Sequence, residues 1–358
     1  MSKAVHGGNI EELSRIHNIE KSKLIDFSAN INPLGISNNV LESLINAIKE
    51  AEVYPDIKYH NLKKAISKFE EVSFENITLG NGAAESIFNL VRAVKPKKAL
   101  IPAPTFSEYG EAILSVGGEV KHYLLNEDRD FNIDEDILDY INKDIDIIFI
   151  CNPNNPTGKL TEKDIIRKVL EKAKLNNVLV VLDESFLDFI KEYKKYSAME
   201  FLSTYDNLFI IKSLTKMFAI PGIRIGYTLT ENRKIIEEIN KVTSPWNINI
   251  FAEKAAIVAL EEKEYISKTI EYIEEEKDFL YNELTSFNKL KVFKPSVNYI
   301  MFKNLSDIDL KEELLKRNIV IRSCSNYIGL DKSYYRIAVR KREENKILIN
   351  ELNCILSV

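Results

Sequence analysis

The segment Ser213-Leu214-Thr215-Lys216-Met217-Phe218 follows the apolar run 208–211 and leads into Pro221-Gly222-Ile223-Arg224. A lysine amine is nucleophilic once deprotonated, its pKa moves readily, and it condenses with aldehydes to a Schiff base. Ser213, three residues before Lys216, offers a neutral hydroxyl donor, and Arg224, eight residues after it, offers a forked cation. Those two donors suit a phosphate monoester. Lysine, serine and arginine together describe a pocket for an aldehyde that carries a phosphate. A lone lysine in a Ser/Thr-rich loop is more often a solvated surface residue, so the reading depends on other segments converging on the same ligand.

Pyridoxal 5′-phosphate (PLP) is such a ligand, and several segments fit it. Gly80-Asn81-Gly82-Ala83-Ala84-Glu85 is a glycine-rich turn opening a helix, whose free amide protons and dipole make a phosphate seat. Asn152-Pro153-Asn154-Asn155-Pro156-Thr157-Gly158 follows a strand, and Asn155 can donate to a phenolic oxygen. Asp183 ends another strand; a carboxylate there would keep a pyridine nitrogen protonated, or else cap a helix. Phe106 can cover one face of the ring or be plain core.

These residues need strand ends to hold them together. Apolar runs at 77–79, 99–101, 147–150, 178–182 and 208–211 read as strands alternating with helices. Unbroken apolar strands in that pattern predict an α/β fold, with a mostly parallel central sheet flanked by helices. A helix is expected over 40–49, with Leu41, Leu44, Ile45 and Ile48 on one face, and another through Leu62, Ile66 and Phe69. A further helix should start near Thr161, capped by its hydroxyl and by Asp164, and bury Ile165, Val169, Leu170 and Ala173. After Trp246, a helical stretch over 251–287 contains the charged run 274–277, read as a solvated face. Short strands at 297–302, 319–322 and 334–339 follow. The expected division is a large PLP-binding domain over 36–245, and a smaller α+β domain made of 1–35 and 246–358.

Composition narrows the class. The chain has 358 residues, 45% hydrophobic and 29% charged, which suits a globular protein of about two domains. A net charge of −5 gives no footprint for nucleic acid. Cys151, Cys324 and Cys354 are odd in number and widely spaced, as reduced thiols of a cytoplasmic protein would be. His6, His17, His60 and His122 show no ligand spacing, so no metal is expected. No run is long enough to span a bilayer.

The ordered set of these motifs, from the glycine turn to Pro221-Gly222-Ile223-Arg224, resembles the fold-type-I PLP enzymes of the class I/II aminotransferase superfamily over nearly the whole chain. The resemblance implies a Schiff base at Lys216, Asp183 on the ring nitrogen, Asn155 on the phenolic oxygen and Phe106 on the ring. It implies a phosphate held by Ser213, Arg224 and the Gly82-Ala83-Ala84 turn, with Tyr54 reaching across from a second subunit of a homodimer. The branch is similar to the threonine-phosphate decarboxylases of cobalamin synthesis, close to the histidinol-phosphate aminotransferases. The narrower match rests on His6-Gly7-Gly8-Asn9, on the segment 26–35 with Ile31 in place of glutamate between Asn30 and Asn32, on Phe186 in place of tyrosine, and on Arg336-Ile337-Ala338-Val339-Arg340. A phosphorylated amino acid brings two anionic ends, for which His6, Asn30, Asn155, Arg322, Arg336 and Arg340 are candidates; a structural or surface role is the alternative reading of Arg340. Decarboxylation of threonine phosphate is the reading implied. Transamination of histidinol phosphate, decarboxylation of serine phosphate and a silent PLP-binding regulator are the alternatives.

Overall fold

The computed structural model describes residues 7–357. Its strands are β1 (Ile25–Asp26), β2 (Ile77–Gly80), β3 (Lys98–Ala103), β4 (Glu119–Leu124), β5 (Ile147–Cys151), β6 (Leu179–Asp183), β7 (Leu208–Ser213), β8 (Gly226–Leu229), β9 (Leu290–Val292), β10 (Tyr299–Asn304), β11 (Ile319–Val320), β12 (Arg322–Ser323) and β13 (Tyr334–Ala338). Seven of them form the central sheet in the order β2-β8-β7-β6-β5-β3-β4. Every neighbouring pair from β7 to β4 is parallel, and β8 alone runs against both β7 and β2. The mostly parallel α/β sheet is therefore present, with β4 and β8 added to the strands read from sequence.

Successive side chains on these strands enter opposite layers. Ile148, Val180, Leu182 and Ile210 belong to one core. Phe149, Val181, Phe209 and Ile211 belong to the other. Helix Lys163–Asn176 covers the first layer through Ile166, Val169, Leu170 and Ala173. Helix Ala83–Val94 covers the second through Ile87, Leu90 and Val91. Strands buried on both faces need no alternation with polar residues, which is why they read as unbroken apolar runs.

A second, antiparallel sheet has the order β12-β13-β10-β9. β1 pairs in parallel with β11, Ile25 opposite Ile319, and so brings the N-terminal segment onto this part of the chain. The stretch 319–322 is thus two strands, one for each sheet, and not one.

Four further expectations need correction. The helical stretch 251–287 is two helices, Ile250–Ala259 and Lys263–Thr285. Helix Lys163–Asn176 has Glu162 and not Thr161 at its N-cap, with no side-chain cap; Thr161 lies one residue earlier, its amide donating to Asn152 Oδ1 at 2.9 Å. Its buried face uses Ile166, and Ile165 is only partly covered. The run 274–277 is not wholly solvated: Glu276 is buried, accepting from Arg342 Nε at 2.7 Å and Asn345 Nδ2 at 2.8 Å.

Candidate active site

The carboxyl ends of parallel strands are where open α/β sheets bind ligands, and the candidate residues collect there. Asp183 ends β6, Ser213 ends β7, and Lys216 lies in the helical turn Leu214–Met217 that follows. The loops after β3 and β5 carry Phe106 and Asn155. Register brings Gly226 of β8 opposite both Ser213 and Gly80. Arg224, just before β8, therefore meets the turn after β2.

That meeting is tight. Gly82 has φ +83°, and a Cβ built on it would stand 2.1 Å from Arg224 Nη2. A Cβ on Gly226 would stand 2.7 Å from the Ala83 amide nitrogen. Only glycines let the guanidinium, the helix N-terminus and the β7–β8 edge close together. Ala83, Ala84, Ser213, Thr215 and Arg224 line a cavity of about 130 Å³. Asp183, Phe106 and Lys216 line the same cavity.

Lys216 Nζ donates to Thr215 Oγ1 at 2.9 Å. Its pKa is down to about 8, first because the surrounding protein desolvates the ammonium and then because Arg224 and Arg336 repel it; Asp183 opposes the shift. A large share of this amine is neutral near pH 8, which is what attack on an aldehyde requires. Asp183 Oδ2 accepts from the Tyr109 hydroxyl at 2.7 Å and Oδ1 from the Ser185 amide at 3.0 Å. The carboxylate caps no α-helix; a short 3₁₀ turn, Leu187–Phe189, comes next.

A wider cavity of about 600 Å³ shares Phe106, Asn155, Phe186 and Lys216 with the first. Arg322, Arg336, Arg340 and Asn30 also line it. Arg322 and Arg336 are opposite one another across β12 and β13, so their side chains share a face. Arg336 is buried, and its Nη2 donates to the Ser28 carbonyl at 2.7 Å while Nη1 donates to Asn155 Oδ1. Tyr327 OH lies 3.4 Å from the same Asn155 oxygen. Those donors take the amide oxygen, so Asn155 Nδ2 is the donor left for a ligand. Arg322 Nη2 donates to Asn326 Oδ1 at 2.7 Å, with its guanidinium 5.3 Å from the Tyr327 ring. Arg340 Nη2 is held by Glu344 at 2.7 Å. Asn30 Oδ1, Arg336 Nε and Arg340 Nε are buried without a partner among the described residues.

His6 lies outside the described residues. Tyr54 lines neither cavity of its own chain; it is 76% exposed, with its ring 4.7 Å from Trp246. Sequence reasoning missed Tyr109, Thr215 and Tyr327. Thr215 stood inside the lysine motif and could have been suspected, whereas the other two are aromatic residues that periodicity cannot tell from core. No described group of His, Cys, Asp and Glu could hold a metal ion, and no described helix is long and apolar enough to cross a membrane.

The fit to PLP can be judged on these atoms. The small cavity offers a cationic, amide-rich end, a carboxylate, an aromatic wall and an amine of lowered basicity. The unpartnered donors Arg336 Nε and Arg340 Nε belong to residues of the wide one, where a second anion would be met. The residues fit the group.

The chain matches the aminotransferase class I and II family over residues 22–352. It is 36% identical to a threonine-phosphate decarboxylase of Salmonella typhimurium, across 99% of this chain and 97% of that protein. Among solved structures, it resembles a histidinol-phosphate aminotransferase from Clostridium acetobutylicum, with 36% identity, a TM-score of 0.88 and coverage of 93% and 99% of the two chains. It also resembles an L-threonine-O-3-phosphate decarboxylase from Porphyromonas gingivalis, with 25% identity, a TM-score of 0.83 and the same coverage. With its fold, its strand-end site and a match over nearly its whole length, the chain belongs to the aminotransferase class I and II family.

Proposed function

We propose that the chain is a PLP-dependent carboxy-lyase that converts L-threonine O-3-phosphate to (R)-1-amino-2-propanol phosphate and CO₂. The observation that carries this reading is Lys216, an amine of lowered basicity shared by two cavities, one suited to a phosphorylated aldehyde and one lined by three arginines. Ser213, Arg224 and the Ala83 and Ala84 amides hold the cofactor phosphate. Asp183 keeps the ring nitrogen protonated, Asn155 Nδ2 donates to the ring oxygen, and Phe106 covers the ring. Bound there, PLP supplies an electron sink for the electron pair left behind as CO₂ departs. Lys216 holds the cofactor at rest and, once released, carries the proton delivered to the substrate carbon. Arg322, Arg336 and Arg340 bind the two anionic ends of the substrate, with Asn30 and His6 at the same chamber. The resemblance read from sequence connects such a product to cobalamin synthesis, and free thiols at Cys151, Cys324 and Cys354 suit a cytoplasmic setting.

A homodimer belongs to the same reading. Of the expected apolar helix face, Leu44 packs against the core, but Leu41, Ile45 and Ile48 are 46%, 56% and 63% exposed, and Val53, Tyr54, Ile57 and Trp246 are exposed as well. An apolar surface of this kind wants a cover. A second copy would supply it, and would bring Tyr54 towards the neighbouring cofactor phosphate.

Incubating the purified protein with PLP and each phosphorylated amine tests the reaction. CO₂ release from threonine phosphate, with no dependence on a keto acid, is expected. Amino transfer from histidinol phosphate would establish the second reading, which the likeness to the Clostridium structure favours. Serine phosphate should react more slowly, since a lost methyl contact is worth about 1–3 kcal/mol. No turnover of any of them would point to a silent PLP-binding protein. Sedimentation should give a dimer.

A further inference from the structure

Tyr109 has no place in the roles assigned above, yet it touches Asp183. It sits on helix Glu108–Ser115 with no solvent exposure, and its hydroxyl donates to Asp183 Oδ2 at 2.7 Å. Its ring is fixed on two sides: stacked on Phe149 at 5.0 Å and 14°, and edge-on to Phe106 at 5.6 Å and 82°. One side chain therefore links the carboxylate meant for the ring nitrogen with the aromatic meant for the ring face. We infer that Tyr109 is a positioning residue that orients the Asp183 carboxylate and keeps the shared proton on the cofactor nitrogen. The inference rests on the PLP reading of the cavity.

The physical argument concerns where a proton shared by carboxylate and pyridine resides. Burial favours the neutral pair, with the proton on the carboxyl group. Donors to the carboxylate stabilise its anion and push the proton to the nitrogen. Asp183 has two such donors, the Ser185 amide and the Tyr109 hydroxyl. The amide belongs to the local turn and would persist in most variants. The hydroxyl is the adjustable one, and it remains a donor because burial and the Asp183 charge hold its pKa well above the ordinary phenol value.

The test uses the full-length protein loaded with PLP carrying ¹⁵N in the ring. Wild type should show a protonated nitrogen, and Asp183→Asn should give the neutral limit. Tyr109→Phe should move the ¹⁵N shift part of the way to that limit. It should also lower kcat about tenfold with KM little changed, the weight of one hydrogen bond to a charged group. Replacing Tyr109 site-specifically by 3-fluorotyrosine, a stronger donor of nearly the same shape, should keep the nitrogen fully protonated and restore kcat. This arm retains the ring, so it remains decisive if Tyr109→Phe folds poorly. A ¹⁵N shift and kcat in Tyr109→Phe equal to wild type would overturn the inference alone. A fluorotyrosine protein whose nitrogen moves towards the neutral limit would also overturn it. A wild-type protein that forms no borohydride-reducible adduct at Lys216 would overturn the PLP reading itself.

Discussion

Lys212 and Lys216 are four residues apart, and protein surrounds both, yet they are opposite kinds of lysine. Alternation along β7 sends Lys212 to the layer of Ile210 and Leu182, away from Ser213 and Asp183. There, Glu184 and Asp188 stand 3.5 Å from its Nζ and Glu70 stands 3.6 Å away. Burial opposes the Lys212 charge, but Glu70, Asp188 and Glu184 outweigh it and hold the ammonium above its ordinary pKa. Lys216 meets Arg224, Arg336 and a single carboxylate, so burial and repulsion act together and bring it down to about 8. Desolvation has the same sign at both sites. The neighbours' charges decide which amine is a nucleophile and which is a strut.

The strut has a duty in the fold. Glu184 follows Asp183 and Lys212 precedes Ser213, so the pair joins, behind the sheet, the same two strand ends that present Asp183 and Ser213 in front. Glu184 is further satisfied by Ser197 Oγ at 2.9 Å and the Ala198 amide at 2.8 Å. Tyr227 donates its hydroxyl to Glu70. One ammonium cannot balance three carboxylates, and burial accordingly raises the Glu184 and Asp188 pKa values even against the pull of Lys212.

The largest expected effects separate the two lysines outright. Lys216→Ala should leave a folded protein that binds PLP without covalent attachment, with activity down about 10²–10⁴-fold, the span of a lost acid–base group. Borohydride reduction of the wild type followed by peptide mapping should label Lys216; label at Lys212 would break the comparison. Lys212→Met should instead cost about 3–5 kcal/mol of stability, because it leaves buried carboxylates uncompensated. Adding Glu184→Gln should recover part of that loss in urea denaturation. An unchanged midpoint in the single variant would mean that the cage is not held together by Lys212.

Arg336→Gln sharpens the electrostatic half of the argument. Losing a charge-assisted contact to a desolvated anion costs about 2–5 kcal/mol, so kcat/KM should fall far more than PLP content. Loss of PLP with normal substrate affinity would move Arg336 to the cofactor side. A smaller effect concerns pH. The folded apoprotein holds Lys216 at about 8 against an ordinary value of 10.5, so between these values the unfolded chain binds more protons and stability should rise with pH. Lys212, held above its ordinary value, has the opposite sign: its contribution persists below that value and is lost as pH rises through the folded pKa. The rise between pH 8 and 10.5 should be present in wild-type apoprotein and absent from Lys216→Met.

What could be read in the sequence was what neighbours in sequence encode. The lysine motif, Asp183 and the Asn-Pro loop each follow an apolar run, and a parallel sheet necessarily brings such ends to one edge. The hydroxyl of Tyr109 meets a carboxylate 74 residues away, and Tyr227 meets Glu70 across 157 residues, so no local spacing could reveal either. The apolar residues of helix Asn38–Ala47 were visible, but not that Val40 and Leu44 would meet the core while Leu41 and Ile45 stayed exposed within one chain. The Thr161 cap failed for the same reason: Thr161 is tied to Asn152 of the Asn-Pro loop through its amide, and the helix begins a residue later, with Glu162 at its N-cap.

The smallest expected effect, and the one most directly about charge at Lys216, comes from Phe186. Its ring centroid is 6.0 Å from Lys216 Nζ and packs edge-on against Tyr299 at 5.2 Å and 78°. Position 186 offers no hydroxyl to the cofactor ring oxygen, so in the proposed arrangement Asn155 Nδ2 would be the donor there. With PLP held at Lys216 as proposed, that oxygen's negative charge would stabilise the proton on the nitrogen that Lys216 contributes. A second donor would withdraw charge from the oxygen and make that proton easier to lose. Phe186→Tyr should therefore convert the cofactor's absorbance from its protonated to its unprotonated form at lower pH than wild type. One ordinary hydrogen bond is worth about 1 kcal/mol, so the midpoint should fall by about half to one pH unit. The Tyr299 contact uses the ring and not the new hydroxyl, so packing there should survive. A spectroscopic titration of both proteins, with a structure of the variant, decides the matter. A midpoint that stays put or rises while the new hydrogen bond is seen to form would mean that the ring oxygen does not govern the proton on Lys216.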